Sequence, residues 1–552
     1  MQRSPEDDPD LDAVARSHFG WERLTDDQRE AMRAVLRGRD VLAVLPTGSG
    51  KSAIYQVPSL LIDGMTLVVS PLIALQEDQI SAIEESGAGT AVAINSGLRA
   101  RDRRRSWELI DRCEADFVFV APEQLANDEV VSRLREARLS LIVVDEAHCV
   151  SAWGHDFRPD YRRLADVFRR LGESIPVVAL TATASVVVRR DIVDRLGLHD
   201  PAIVVSGFDR PNLRLAVARH LDDGDKRRAV LDALPGLPGP GLLYVATHRD
   251  AESYAEALLD KGLTTAAYHA GMTAADRDAV HEGFRDDEYE VVVATSAFGM
   301  GIDKPNVRFV AHASAPDSLD SYYQQIGRAG RDGDEALVLL FYRPEDLGLA
   351  RFFSGGGPDE KVLRAVFAVL DASDPTKLKD LRDGLDVRGR TLTNAVNLLE
   401  EAGVVRSTPK GFLSAAISTD TAVAEALAAA ELRERVDLSR IEMMRGYAET
   451  TACRRVFLLS YFGEHLGGAC GNCDRCADAC TDAEELDAGV DEPALAIETA
   501  VRHPDFGAGV VIGGDRERIT VLFEEYGYRT LSMAAVRENG LLDVIDAIAE
   551  PA

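Results

Sequence analysis

Asp40-Val41-Leu42-Ala43-Val44-Leu45-Pro46-Thr47-Gly48-Ser49-Gly50-Lys51-Ser52 is the stretch that decides the fold class of this chain. Its first half, Asp40–Pro46, reads as a short apolar strand, and a helix-compatible stretch follows Ser52. Between them, Gly48 and Gly50 let backbone N–H groups come close to phosphate oxygens, and the N-terminus of the next helix adds its dipole. In this reading Thr47, Gly48, Ser49 and Gly50 cradle the phosphates of a nucleotide. Lys51 neutralises the β- and γ-phosphates, and the Ser52 hydroxyl ligates Mg2+.

The stretch Leu141-Ile142-Val143-Val144-Asp145-Glu146-Ala147-His148 supplies the partner. Four apolar residues fit a buried parallel strand, and acids at its carboxyl end fall where α/β sheets bind ligands. Asp145 then holds Mg2+ through water, and Glu146 orients and deprotonates an attacking water. An acidic pair after a strand also suits the first turn of a helix. Paired with Thr47–Ser52, it reads as half of a nucleotide-hydrolysing site.

Asp145-Glu146-Ala147-His148, with Thr181-Ala182-Thr183-Ala184, resembles superfamily-2 helicases, in which a Pro-Thr-Gly turn commonly replaces the first phosphate-loop glycine, here Leu45. The segment from Ala147 through Trp153-Gly154-His155-Asp156-Phe157-Arg158 to Tyr161 is similar to the aromatic-rich loop of RecQ helicases. That resemblance implies an ATP-dependent DNA helicase of the DEAH-box type, moving 3′→5′ on single-stranded DNA in repair or recombination. It also implies that the loop senses the strand. Trp153, Phe157 and Tyr161 offer faces for base stacking, worth about 1–3 kcal/mol per base, while His155 and Arg158 reach phosphates. Core packing is the alternative for these rings. Upstream, Phe19–Gln28 resembles the adenine-reading motif, in which Gln28 meets a donor and an acceptor and Arg23 or Trp21 covers the ring. Leu24-Thr25 stands where the family has an aromatic-arginine pair. Ser70–Gln76 and Ala121–Leu125 match the strand-touching motifs.

A second α/β pattern begins at Gly241–Val245, after the Pro/Gly-rich connector Leu234–Gly241. It runs through Val291–Asp303 to Gln324-Gln325-Ile326-Gly327-Arg328-Ala329-Gly330-Arg331. The match to helicase motifs V and VI implies a cleft completed by the second lobe. Arg328 and Arg331 meet the γ-phosphate there, Gln324 helps fix the water, and Asp303 contacts ribose or positions the arginines.

Beyond about Phe352 the motor pattern stops. Leu378, Leu381 and Leu385 recur with helical spacing, and Leu392, Val396 and Leu399 form a second stripe with Gly403 as its C-cap. Val404–Ser407 and Phe412–Ala415 make a hairpin, so the segment reads as a winged helix that grips duplex DNA or docks a protein. Cys453 and Cys470-x-x-Cys473-x-x-Cys476 suit a tetrahedral Zn2+. Their setting, Cys453-Arg454-Arg455 and Tyr461-Phe462-Gly463-Glu464, is similar to the RecQ zinc segment. Cys480 is the surplus thiol and the alternative ligand. The order departs from the family plan, in which zinc directly follows the motor. No stretch is long enough for a separate helicase-and-RNase-D C-terminal domain. After an acidic linker, alternating strands from Val501 onward suggest a small β-barrel like the Tudor-like module of UvrD/PcrA-type helicases, with RNA polymerase or repair proteins as partners.

The expected architecture is therefore α/β. RecA-like lobes occupy residues 1–210 and 211–350, and a winged helix 351–430. A helical four-cysteine segment takes 431–480, a linker 481–495, and the β module 496–552. With 552 residues, of which 46% are hydrophobic, the chain has ample apolar surface for several cores. The net charge of −30 opposes nucleic-acid binding at face value. Net charge, however, does not set the potential of a local groove. Arg99, Arg101, Arg103, Arg104 and Arg105 are such a local cluster, either a phosphate-binding face or a solvated helix. The acidic N-terminus lacks an apolar leader, so the expected site of action is the cytoplasm and nucleoid, with no membrane partner. Two further readings remain: a translocase that displaces proteins with little unwinding, and a zinc-bearing DNA adaptor with a vestigial ATPase. The second fits poorly because every catalytic position is filled.

Overall fold

In a computed structural model, described at residues 9–151, 158–298, 304–348, 351, 357–387, 389–408, 410–479, 495–514 and 517–545, the apolar runs form two all-parallel sheets. The first holds β1 (Val41–Val44), β2 (Met65–Val69), β3 (Ala91–Ile94), β4 (Phe117–Val120), β5 (Leu139–Val144), β6 (Val177–Thr181) and β7 (Ala202–Val205). Their order is β3-β4-β2-β5-β6-β1-β7. β1, β2 and β4 are buried along their whole length, because helices cover both faces of a parallel sheet. The second holds β8 (Leu213–Arg219), β9 (Gly241–Tyr244), β10 (Thr265–Tyr268), β11 (Val291–Ala294), β12 (Phe309–His312) and β13 (Ala336–Tyr342), in the order β10-β11-β9-β12-β13-β8. The phosphate loop leaves β1, Asp145 follows β5 and Thr181 ends β6. All three stand at carboxyl ends, where an open parallel sheet has its ligand crevice.

The segment read as a winged helix forms two helices, Leu378–Gly384 and Gly389–Glu401, and a hairpin of β14 (Val405–Thr408) and β15 (Gly411–Ser414). Leu381, Leu392, Val396 and Leu399 are buried in a core they share with Leu363 and Val423. Gly403 takes the left-handed conformation, φ +72°, that a helix terminator needs. Arg163 of the first lobe grips Glu400 with two hydrogen bonds, tying this unit to the motor.

The boundary expected between residues 430 and 431 falls inside one unbroken helix, Thr419–Glu449. At 31 residues it spans roughly 46 Å. Its start packs in the winged-helix core through Ala422, Val423 and Ala426, and its end reaches the main core through Met443, Met444 and Tyr447.

The tail is an antiparallel sheet in the order β19-β18-β17-β16-β20, made of β16 (Ala500–His503), β17 (Gly507–Gly514), β18 (Arg518–Phe523), β19 (Gly527–Ser532) and β20 (Asp543–Val544). One face has its own core of Val501, Val511, Ile519, Val521 and Phe523. The sequence suggests a module that stands apart, but the other face does not. Ile512, Leu522 and Tyr528 belong to the main core, and the Ser439 hydroxyl in the long helix accepts the Tyr528 N–H at 3.0 Å. A Cβ on Gly527 would overlap that hydroxyl, so glycine is required by the docking itself. Tyr528→Ala should then destabilise the motor, not only the tail, by about 3–5 kcal/mol. Chemical denaturation followed separately at motor and tail reporters checks this. A chain ending near Ala483 that melts and hydrolyses like the full length would make the tail an independent unit.

Candidate active site

The phosphate loop folds as its glycines dictate. Gly48 (φ +83°) and Gly50 (φ +70°) occupy the left-handed region, and a Cβ on Gly50 would meet Gln28 Nε2 at 2.9 Å. Lys51 is half-buried, and its ammonium donates to the carbonyls of Leu45 (3.2 Å) and Pro46 (3.5 Å). Burial pushes the pKa of Lys51 down, against the pull of Glu146 and Asp145.

Burial, and next the charge of Glu146, pushes the Asp145 carboxyl up to about 7. Two half-buried carboxylates side by side suit a cation, and the oxygens of Ser52 and Asp145 are the hard donors Mg2+ takes. Both residues line a cavity of about 470 Å³ with Thr47, Lys51 and Glu146. Glu146 sits at φ +49°, its Oε2 3.3 Å from His148 Nδ1. The same nitrogen lies 2.9 Å from Thr181 Oγ1, whose proton goes to the Thr183 carbonyl. Because that hydroxyl is already donating, Nδ1 is assigned as the donor to it. His148 thus bridges the acidic pair and β6, through a close contact with Glu146 and a hydrogen bond to Thr181.

Gln28 lies against the loop rather than in the cavity. It caps its own helix through Thr25 and donates to the carbonyls of Ser49 (2.8 Å) and Gly50 (3.1 Å). Arg23 is exposed, and Trp21 stacks on Phe19 at 4.5 Å, so neither lines the cavity. Trp153, His155, Phe157, Asp303 and Cys480 lie outside the described residues. Arg158 donates to the Pro71 carbonyl at 3.3 Å, which joins the aromatic segment to the Ser70–Gln76 motif. Tyr161 corrects the sequence reading. It is wholly buried and its hydroxyl donates to the Asp145 carbonyl at 3.0 Å, so it is a core residue with no face for a base.

The second lobe closes the cavity with Gln324, Arg328 and Arg331. Arg331 Cδ stands 3.1 Å from where a Gly48 Cβ would be, so glycine there also makes room for the arginine. Arg328 is 6% exposed and its Nε has no hydrogen-bond partner among the described residues, a buried donor that a phosphate oxygen satisfies. The turn is held from the inter-lobe connector: Arg210 donates to the carbonyls of Ala329 and Gly330, both at 2.9 Å, and Asn212 to Gly330 at 2.8 Å.

Cys453, Cys470, Cys473 and Cys476 gather with all four sulfurs within 4.8 Å of one another. Neighbouring sulfurs are 3.4, 3.8 and 4.0 Å apart. A tetrahedron with Zn–S bonds of about 2.3 Å has sulfurs about 3.8 Å apart, so the donor set fits Zn2+ with no open position. The adjoining residues reach the motor. Arg454, fully buried, bonds Asp474 and the Tyr447 carbonyl, and Asp474 accepts the Val217 N–H of β8 at 3.1 Å. Arg455 donates to the carbonyls of Arg210, Pro211 and Leu213. Phe462 stacks on Phe208 at 4.7 Å and accepts a bond from Arg189 of the first lobe. Tyr461 donates to Asp320 on the Leu319–Ile326 helix, which also carries Gln324.

Sequence reasoning missed the remaining walls: Tyr55, Asp78 and Gln79 from the first lobe, and His281, Phe284, Arg285 and Lys304 from the second. It also missed Arg210 and Asn212. Only Lys304 carried a signal, as a lysine directly after Asp303 that proves to be 4% exposed.

Known proteins share these parts. Residues 25–191 match the DEAD/DEAH box helicase family, 225–333 the helicase conserved C-terminal domain, and 414–477 RecQ zinc-binding. The ATP-dependent DNA helicase RecQ of Haemophilus influenzae is 34% identical over 466 residues, covering 84% of this chain and 63% of that protein. The probable ATP-dependent DNA helicase RecS of Bacillus subtilis is 33% identical over 461 residues, covering 83% of this chain and 90% of that protein. The RecQ of the same organism is 33% identical, and 66% of it is covered. This chain therefore spans just under two thirds of the RecQ proteins and most of RecS. A solved structure of Saccharomyces cerevisiae Dbp5 bound to RNA and ADP BeF3 superimposes with a TM-score of 0.51 at 18% identity, over 61% of this chain and 88% of that one, a likeness of fold. No helix among the described residues is long and apolar enough to cross a membrane.

Proposed function

Because the chain belongs to the RecQ family of ATP-dependent DNA helicases, we propose that it hydrolyses ATP to move 3′→5′ along single-stranded DNA and to separate duplex, in DNA repair or recombination. The observation that carries this reading is the shared cavity, in which Arg328 and Arg331 of one lobe face Thr47–Ser52 of the other. A site built from two lobes gains and loses its arginines as the lobes approach and part, and that motion is what moves a strand.

ATP binds with its phosphates on the backbone N–H groups of Thr47–Ser52 and with Lys51 against the β- and γ-phosphates. Mg2+, held by Ser52 and Asp145, supplies further positive charge to those oxygens. Glu146 orients the attacking water and takes its proton. Gln324 fixes the same water, and Arg328 and Arg331 meet the charge developing on the γ-phosphoryl group, a contribution of about 10³–10⁵ in related nucleotidases. Gln28 and Arg23, which stand outside the cavity walls, serve an adenine that extends beyond the phosphate cavity, and Asp303 the ribose or the arginines. The strand lies on Ser70–Gln76, Ala121–Leu125 and the segment bearing Trp153, His155, Phe157 and Arg158. Repair proteins or RNA polymerase dock on the exposed edges of the tail. The chain acts on the nucleoid.

A second reading, a translocase that displaces proteins with little unwinding, is favoured by the winged helix. Glu400 is committed to Arg163, and Asp359, Glu401, Glu431, Glu434 and Asp437 line a neighbouring cavity of about 920 Å³ whose charge repels DNA. ATP hydrolysis measured with single-stranded DNA, duplex DNA and RNA, beside strand displacement from a tailed duplex, decides between them. Stimulation by RNA alone, or none by any strand, defeats both.

Trp153→Ala and Phe157→Ala should raise the concentration of single-stranded DNA that half-stimulates hydrolysis by about 5- to 160-fold, the loss of about 1–3 kcal/mol of stacking. ATP binding without DNA should barely change. Equal stimulation in variants and wild type would return both rings to core packing.

A further inference from the structure

The helix Ala100–Asp111 carries a charge pattern that its own fold does not need. Five of the seven residues from 99 to 105 are arginine, in a chain with 62 basic and 92 acidic side chains. Its inward face is ordinary: Trp107 and Ile110 are buried, and Arg133 lies over the Trp107 ring at 4.0 Å. Arg99, Arg101, Arg103, Arg104 and Arg105 are all exposed, and none forms an ion pair with a carboxylate among the described residues. Arg99 and Arg103, like Arg101 and Arg105, repel one another four residues apart on one helix face. Cations crowded into a first turn also oppose the helix dipole, with Asp102 as the only acid there. This local cost has no return inside the fold. A binding partner rich in negative charge supplies one.

The position of the helix says which partner. It follows β3, at the same carboxyl rim as the strand-touching motifs, and hydrogen bonds connect it to them. Gly97 N–H donates to Asn95 Oδ1 (3.0 Å), Asn95 donates to Gln76 (2.9 Å), and Gln76 donates to the Ser70 carbonyl (2.9 Å). The neighbouring Pro71 carbonyl accepts from Arg158. One hydrogen-bonded rim thus runs from Arg158, past Ser70–Gln76, to Gly97 just before the arginine helix.

We propose that the exposed arginines of Ala100–Asp111 bind the phosphate backbone of the DNA strand beyond the part held by Ser70–Gln76 and Arg158, and so lengthen the footprint of the motor. This rests on the DNA-motor reading above. Arginine is the side chain suited to phosphate, through its planar fork of donors, and the contact carries no base preference. It explains how an acidic protein keeps a long strand: the affinity comes from one local basic cluster rather than from net charge.

The test uses the full-length zinc-loaded chain with Arg101, Arg103, Arg104 and Arg105 all changed to Gln, which keeps helix propensity. Binding is measured over a series of salt concentrations with two oligonucleotides, one just long enough to stimulate hydrolysis and one several-fold longer. For the wild type, the long strand should show the steeper dependence of log affinity on log salt. In the variant that extra steepness should vanish. The slope should fall by about 0.7 for each phosphate that the arginines no longer neutralise, roughly 2–3 in all. The short strand should bind with an unchanged slope, and the melting temperature should not fall, since like charges have been removed. An unchanged long-strand slope overturns the proposal, as does an equal drop for both strands. So does a variant that binds the long strand normally but has lost an acidic peptide. Hydrolysis by the wild type with the short strand tests the motor reading separately, because that strand does not reach the arginines.

Discussion

Glu146→Gln is expected to lower the kcat for ATP by about 10²–10⁴-fold, the range for loss of a positioned base, in a protein that folds, keeps its zinc and still binds ATP. The substitution preserves shape, so the polar neighbours His148 and Thr181 keep their places. What disappears is the group that takes the proton of the attacking water. Nucleotide binding should survive for a further reason. After burial, the charge of Glu146 is the main force raising the Asp145 carboxyl, so its removal leaves Asp145 more readily ionised for a cation. Lys51→Ala should lose turnover by a different route, through weaker ATP binding, because its ammonium, hydrogen-bonded here to two backbone carbonyls, is the positive charge placed for the phosphates. Single-turnover hydrolysis and nucleotide binding, both with saturating single-stranded DNA, separate the two. Near-wild-type turnover by purified Glu146→Gln would take the role of base away from Glu146 and leave it a neighbour of His148.

The two sheets and their site were legible because parallel strands covered on both sides are short and uniformly apolar. Val41–Val44, Leu141–Val144 and Val291–Val293 announced themselves, and the chemistry sits directly after such runs. The zinc site was equally open, since four cysteines at fixed spacing leave little else to propose. The connector Arg210-Pro211-Asn212 was not legible. Its work is done by backbone carbonyls and by side chains reaching more than a hundred residues along the chain, to Ala329 and Gly330. No local pattern encodes that. Tyr161 was misread for the converse reason. An aromatic ring after a functional loop has the same letter whether it stacks on a base or, as here, fills the core and bonds Asp145. The tail was misjudged because its alternation is that of any two-faced sheet. One period marks Val511 and Val521 for its own core and Ile512, Leu522 and Tyr528 for the motor, and sequence does not say what the second face meets.

Cys473→Ser should cost the chain its zinc and, with it, most of its ATP turnover, although Cys473 is remote in sequence from every catalytic residue. Structural zinc sites of this kind contribute about 10–16 kcal/mol, comparable to the whole stability of an ordinary domain at about 5–15 kcal/mol, so a lost ligand unfolds the segment locally. The consequence travels through the packing. Cys473 bridges to Leu215 on β8, and the next residue, Asp474, holds both Arg454 and the Val217 N–H. Without the metal, the Cys453 turn that presents Arg454 and Arg455 is released. Arg455 no longer fixes the carbonyls of Arg210, Pro211 and Leu213, and Arg210 and Asn212 are what hold the Arg328–Arg331 turn against the phosphate loop. The loss should therefore fall on kcat more than on the KM for ATP, because the phosphate loop of the first lobe remains intact. Metal analysis, a melting curve and steady-state kinetics on one preparation check this, and Cys480→Ser, expected to keep one zinc per chain, is the companion. Full ATP turnover by a soluble, zinc-free Cys473→Ser would show that the arginine turn needs nothing from the zinc segment.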